Sequence, residues 1–180
     1  MDTADILKAR ILVVDDQEAN VLLLERALGG AGYLSVTSTR DPRAVCELHR
    51  KNRYDLILLD LQMPVMDGFE VMEGLAQIEG DGYMPVLVIT AQPDHKLRAL
   101  RAGAKDFVSK PFDLAEVLTR VHNMLEVRLY ARALEESRAV AGDRGGADLG
   151  VRPSSRSHAA HRSGSRTIPG SGGVEQVAWG

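Results

Sequence analysis

A single cysteine, Cys46, leaves this 180-residue chain without an internal disulfide or a cysteine-rich metal cluster. Set beside Ala44, Val45 and Leu48 in a helical stretch, it reads as a small core hydrophobe rather than a reactive thiol. Apolar runs such as residues 11–14 and 21–24 fall far short of a membrane span. The opening MDTADILKAR carries acids where a signal peptide carries bases, so cytoplasmic residence is expected and no membrane association. Positive charge is not in excess either: the formal net charge is -3, which offers no polycationic surface for nucleic acid. Neither GxxxxGKS/T nor GxGxxG follows the first apolar run, so the glycine loop that cradles nucleotide phosphates is missing.

What is present is a globular composition, 44% hydrophobic and 26% charged, in a length suited to one domain with an appendage. Short β-branched runs at residues 11–14, 34–37, 56–59 and 86–89 read as strands, with Phe107 and Val108 as a weaker fifth. They lack polar alternation, as parallel strands covered on both faces do. Amphipathic stretches lie between and after them: 20–28 ending at Gly29 and Gly30, 42–50 opened by Asp41 and Pro42, 69–78, 94–102 ending at Gly103, and Leu114 onward with Asp113 as its cap. Five strands alternating with five helices over short connections predict an α/β, flavodoxin-like, doubly wound parallel sheet of order 2-1-3-4-5.

Polar residues interrupt this pattern at the strand ends, where an open α/β sheet places its ligand crevice. Asp15 and Asp16 follow strand one, Asp60 ends strand three, Thr90 strand four, and Lys110 follows strand five. One aspartate after a strand is ordinarily a turn or capping residue. Three converging there repel one another by several kcal/mol at an effective dielectric near 20 unless a cation sits among them. An all-oxygen site with few carboxylates suits Mg²⁺.

The segments ILVVDDQ (11–17), DLILLDLQMPVMDGFE (55–70), PVLVITA (85–91) and GAKDFVSKPF (103–112) closely resemble the receiver domains of two-component response regulators. The resemblance covers residues 9–128. It implies that Asp60 is the phosphoacceptor and that Asp16, Asp60 and the Gln62 carbonyl bind Mg²⁺, with Asp15 acting through a metal-bound water. It further implies that Thr90 is the switch hydroxyl, that Lys110 pairs with a phosphoryl oxygen, and that the peptide before Pro111 is cis. Phe107 occupies the family's aromatic switch position, and an ordinary core phenylalanine is an equal reading of it. The implied partners are a sensor histidine kinase or histidine phosphotransfer protein upstream and an effector protein downstream, read through the fourth helix, fifth strand and fifth helix. Such a chain is a signalling switch and not an enzyme, beyond its own phosphotransfer and autodephosphorylation.

An aspartate-based phosphohydrolase would need its nucleophile and acid two residues apart, whereas Asp15 and Asp16 are adjacent and Gln17 follows. A pseudoreceiver would have lost pocket residues, and all five are present. Past the domain, Met124, Val127, Ala131 and Leu134 keep 3-4-3 spacing, which predicts a helical extension over 129–141 and leaves a homodimer through it open. Gly, Ser and Pro crowd residues 142–180 with no apolar period, which predicts a disordered tail and no folded output module, hence a stand-alone or truncated receiver. Scattered arginines and His158 and His161 in that tail read as solvated.

Overall fold

The computed structural model describes residues 3–80 and 85–144. Strands β1 (Arg10–Val14), β2 (Ser35–Thr39), β3 (Leu56–Asp60), β4 (Val86–Thr90) and β5 (Asp106–Ser109) form one parallel sheet in the order β2-β1-β3-β4-β5. This is the flavodoxin-like order expected from the alternation of apolar runs.

Helices α1 (Thr3–Leu7), α2 (Glu18–Gly30), α3 (Val45–Asn52), α4 (Gly68–Glu79), α5 (Pro93–Arg101) and α6 (Leu114–Arg144) surround it. Successive strand residues feed opposite faces, because side chains alternate along a strand. Leu12, Val14, Ile57 and Leu59 pack with Val45, Phe69, Met72 and Leu75 on one side. Ile11, Val13, Leu56 and Leu58 pack with Leu24, Leu28, Val121 and Leu125 on the other. Strands β3 and β4 are buried along their whole length, which accounts for their unbroken apolar character.

Several local readings are corrected. A helix precedes the sheet: α1 is too short to show a helical period, yet Ile6 is buried in the core. Helix α2 continues through Gly29 and Gly30, and the residue with positive φ beyond it is Gly32. Pro42 opens a 3₁₀ turn (Pro42–Ala44) rather than the α-helix itself, with the Asp41 side chain accepting from the Arg43 amide at 3.0 Å. Asp113 does accept at the start of α6, from the Ala115 amide at 2.8 Å.

Helix α6 is unbroken to Arg144, so it runs well beyond the sheet it covers. From residue 145 the expected tail, with its arginines and histidines, lies outside the described residues. Among the described residues no helix is long and apolar enough to cross a membrane.

Candidate functional site

Strand register brings the polar residues together. Val14 pairs with Leu59, Asp60 with Ile89 and Thr90 with Ser109, so the residues after β1 and at the ends of β3, β4 and β5 line one carboxyl edge. Asp15, Asp16 and Asp60 each bring a carboxylate oxygen within 4.8 Å of the others. Two full negative charges at that separation repel by about 3 kcal/mol at an effective dielectric near 20. Asp15 and Asp60 are also buried, at 1% and 2% exposure, so water relieves little of it.

Lys110 answers part of this charge. Its Nζ stands 3.0 Å from Asp60 Oδ2 and 3.2 Å from Asp15 Oδ2. The Lys110–Pro111 peptide is cis, and the Lys110 amide donates to the Thr90 carbonyl at 2.8 Å, which ties the loop after β5 to the end of β4. Backbone amides supply further donors: Gln17 to Asp15 Oδ1 at 2.9 Å, and Gln62 to Asp60 Oδ1 at 3.2 Å.

Burial pushes the Asp60 carboxyl above the ordinary carboxylate range; Lys110 and the Gln62 amide oppose this, and the Asp15 charge adds to it. Burial acts on the Lys110 ammonium in the opposite sense, lowering its pKa, but its contacts with Asp60 and Asp15 outweigh that and hold it raised. One lysine does not satisfy three acids. Asp16 Oδ1 is buried with no hydrogen-bond partner, and Asp60 Oδ2 has only the lysine. Oxygens left in this way among converging carboxylates fit a hard divalent cation such as Mg²⁺.

Thr90 is fully buried, and its Oγ1 accepts from the Gln92 amide at 3.2 Å. Phe107 is half-buried against the core, with Lys96 Nζ 4.9 Å from its ring centroid. On the neighbouring face, Arg98 lies 3.8 Å over the Phe69 ring and His95 meets its edge, so α5 leans on α4 through these contacts.

The loop from Asp60 to α4 is closed by Gly68. A Cβ there would stand 2.8 Å from the Asp60 carbonyl oxygen and 2.8 Å from Leu61 Cα. Close approach, not a positive φ, is therefore what requires glycine. Asp67 and Glu70 then form a reciprocal capping box, each side chain accepting from the other's amide at 2.9 Å. That D-x-x-E signal was readable. Asn20, which donates to Asp15 Oδ2 at 3.0 Å, carried no signal of its own.

Residues 11–122 match the family model of the response regulator receiver domain. The chain is 38% identical over 147 residues to response regulator PleD of Caulobacter vibrioides, covering 81% of this chain and 32% of that protein. It is 38% identical over 130 residues to the transcriptional regulatory protein PrrA of Mycobacterium tuberculosis, covering 71% and 54%. The chain thus spans about a third to a half of the length of these curated relatives.

Among solved structures, a putative response regulator from Chloroflexus aurantiacus superposes with a TM-score of 0.62 at 31% identity, covering 66% of this chain and 98% of that one. The non-phosphorylated HemR receiver domain of Leptospira biflexa gives 0.59 at 35% identity, covering 66% and 94%. With its sheet order, its acidic edge and these similarities, the chain belongs to the response regulator receiver domain family of two-component systems.

Proposed function

We propose that this chain is a phosphorylation switch that accepts a phosphoryl group on Asp60 from a histidine kinase or histidine phosphotransfer protein and signals to an effector protein. The observation that carries the reading is the buried Asp60 carboxylate, with Lys110 Nζ 3.0 Å from Oδ2 and the Gln62 amide 3.2 Å from Oδ1, beside the unpartnered Asp16 Oδ1.

Phosphoryl transfer asks a protein mainly to hold anionic partners in line and to neutralise charge. Asp60 supplies the nucleophilic oxygen; its O–P bond forms as the P–N bond to the donor imidazole breaks, and the leaving nitrogen keeps the electron pair. Asp15, Asp16, Asp60 and the Gln62 carbonyl are the groups that would hold Mg²⁺, which supplies charge neutralisation at the phosphoryl oxygens. Lys110 needs only to shift its contact from the Asp60 carboxylate to a phosphoryl oxygen. The Thr90 hydroxyl accepts from the Gln92 amide, so its proton is available to donate to that group.

Phosphorylation adds about −1.5 to −2 charges and three acceptor oxygens. Drawing Thr90 inward pulls on the segment into α5, whose Lys96 rests on Phe107 of β5. The face built from α5, β5 and α6 is therefore where a partner reads the state, through a population shift between two forms.

Incubation with acetyl phosphate and Mg²⁺, followed by intact-mass measurement, tests this. A single phosphoryl adduct lost in Asp60→Ala and in EDTA is expected. A folded protein that takes no adduct, or takes it in Asp60→Ala, would overturn the reading.

A further inference from the structure

Asn20 touches the pocket and has no part in the proposed switch so far. It stands in the first turn of α2 and its Nδ2 donates to Asp15 Oδ2 at 3.0 Å. The same nitrogen lies 3.5 Å from Gln17 Oε1, so two acceptors agree on which end of the amide faces the acids.

Asp15 Oδ2 has two donors, Asn20 and Lys110, while Oδ1 is held by the Gln17 amide. Lys110 is itself divided between Asp15 and Asp60. If Lys110 moves to a phosphoryl oxygen on Asp60, Asp15 Oδ2 loses its charged donor in a place that water scarcely reaches. A buried carboxylate oxygen left without a donor is costly.

We infer that Asn20 is a positioning residue for phosphotransfer: it anchors Asp15 from α2, so the carboxylate stays aimed into the acidic pocket when Lys110 turns to the phosphoryl group. The inference rests on the reading of Asp60 as phosphoacceptor. A neutral amide suits the task, since it holds the carboxylate without bringing in positive charge that would repel a divalent cation. Asn20 acts through Asp15 and touches neither the phosphoryl group nor the metal.

The test measures Mg²⁺ binding to the unphosphorylated full chain by calorimetry, and the acetyl-phosphate reaction across a Mg²⁺ series, for wild type, Asn20→Ala, Asp15→Asn and the double variant. Alanine is a good helix former, so Asn20→Ala keeps α2, and thermal unfolding checks this. Removing a group that orients a metal-site carboxylate weakens metal affinity by about tenfold. Asn20→Ala is therefore expected to bind Mg²⁺ about tenfold more weakly and to react slowly at low Mg²⁺, with the rate recovered at saturating Mg²⁺. In the Asp15→Asn background the same substitution is expected to change little, since the two act as one unit.

Unchanged Mg²⁺ affinity in Asn20→Ala, or an equal loss in both backgrounds, would overturn the inference while leaving the receiver reading intact. A wild type that neither binds Mg²⁺ nor takes the phosphoryl group would remove both.

Discussion

Gly68 sits directly behind Asp60: a Cβ on the glycine would meet the Asp60 carbonyl oxygen at 2.8 Å. The first residue of α4 and the end of β3 are thus in backbone contact, closed by the Gly68 amide donating to the Leu61 carbonyl at 3.2 Å. The Leu61 Cδ2 methyl, 2.7 Å from that position, could turn aside, but the Asp60 carbonyl oxygen and Leu61 Cα at 2.8 Å are backbone and could not.

Gly68→Ala is therefore expected to shift the backbone beside the acceptor. Forcing one extra carbon into packed backbone costs about 1–3 kcal/mol. Gly74 provides the control, because a Cβ there would meet Cys46 Sγ at 2.6 Å, away from the acidic edge. Denaturant unfolding should show both alanine variants destabilised, while the acetyl-phosphate reaction slows markedly in Gly68→Ala and only slightly in Gly74→Ala. Equal rates in the two variants would mean that the loop geometry does not set the acceptor.

The raised Asp60 carboxyl makes a second prediction, with a sign opposite to the usual one for aspartate. A group whose folded pKa is raised contributes stability that is fully present below its unfolded value, ordinarily 3.8, and is lost as the pH rises through the folded value. At pH 7 without Mg²⁺, ionised Asp60 is thus a burden on the fold. Asp60→Asn should melt a few degrees higher than wild type at pH 7, and the gain should shrink as the pH falls toward 4. Lys110 keeps its contact with Asp15 in the variant, so the amide does not strand the ammonium. A lower melting temperature for Asp60→Asn at pH 7 would refute the argument.

How far the sequence could be read depends on where each signal was stored. The sheet order followed from apolar runs dense enough to need cover on both faces, and the pocket residues stood out as polar interruptions at strand ends. Leu34 misled as the start of β2: it is 76% exposed, and its amide donates to the Leu7 carbonyl of α1 at 2.9 Å. An isolated leucine in an edge strand resembles a buried one until the neighbouring segment is placed. Asn20 was invisible because its meaning lies in a bond to Asp15, and nothing in the spacing requires that bond.

Arg128 shows a different limit. By its charge it interrupts the apolar stripe through Leu118, Val121 and Leu125, yet its side chain is only 13% exposed. The alternative stripe is open to solvent beyond Met124, with Val127 and Leu134 more than half exposed. Apolar periodicity counts only apolar residues, so a stripe that changes from leucine to a paired arginine reads as broken. Its partner, Glu79, ends α4, far away in the chain.

That partner makes the last prediction. Glu79 Oε1 lies 2.8 Å from His49 Nε2 and 3.3 Å from Arg53 Nη1, and Oε2 lies 3.7 Å from Arg128 Nη2. His49 is buried, and its Nδ1 accepts from the Tyr54 amide at 3.3 Å, so the ring's proton sits on Nε2 and donates to Glu79. One turn further along α6, Arg132 reaches buried Asp55 at 3.0 Å, and Asp55 also accepts from the Arg10 amide at 2.9 Å. Glu79→Ala removes the acceptor shared by His49, Arg53 and Arg128 and leaves the buried His49 Nε2–H without one, which costs about 1–3 kcal/mol. Arg128→Met should cost less, because it keeps an apolar stem and leaves Glu79 with His49 and Arg53. Denaturant unfolding should rank the two in that order, and hydrogen exchange should quicken over residues 125–129 in Glu79→Ala while Asp55 and Arg132 still hold the following turn. Equal stability of the two variants, or unchanged exchange, would show that α6 is held there by packing alone.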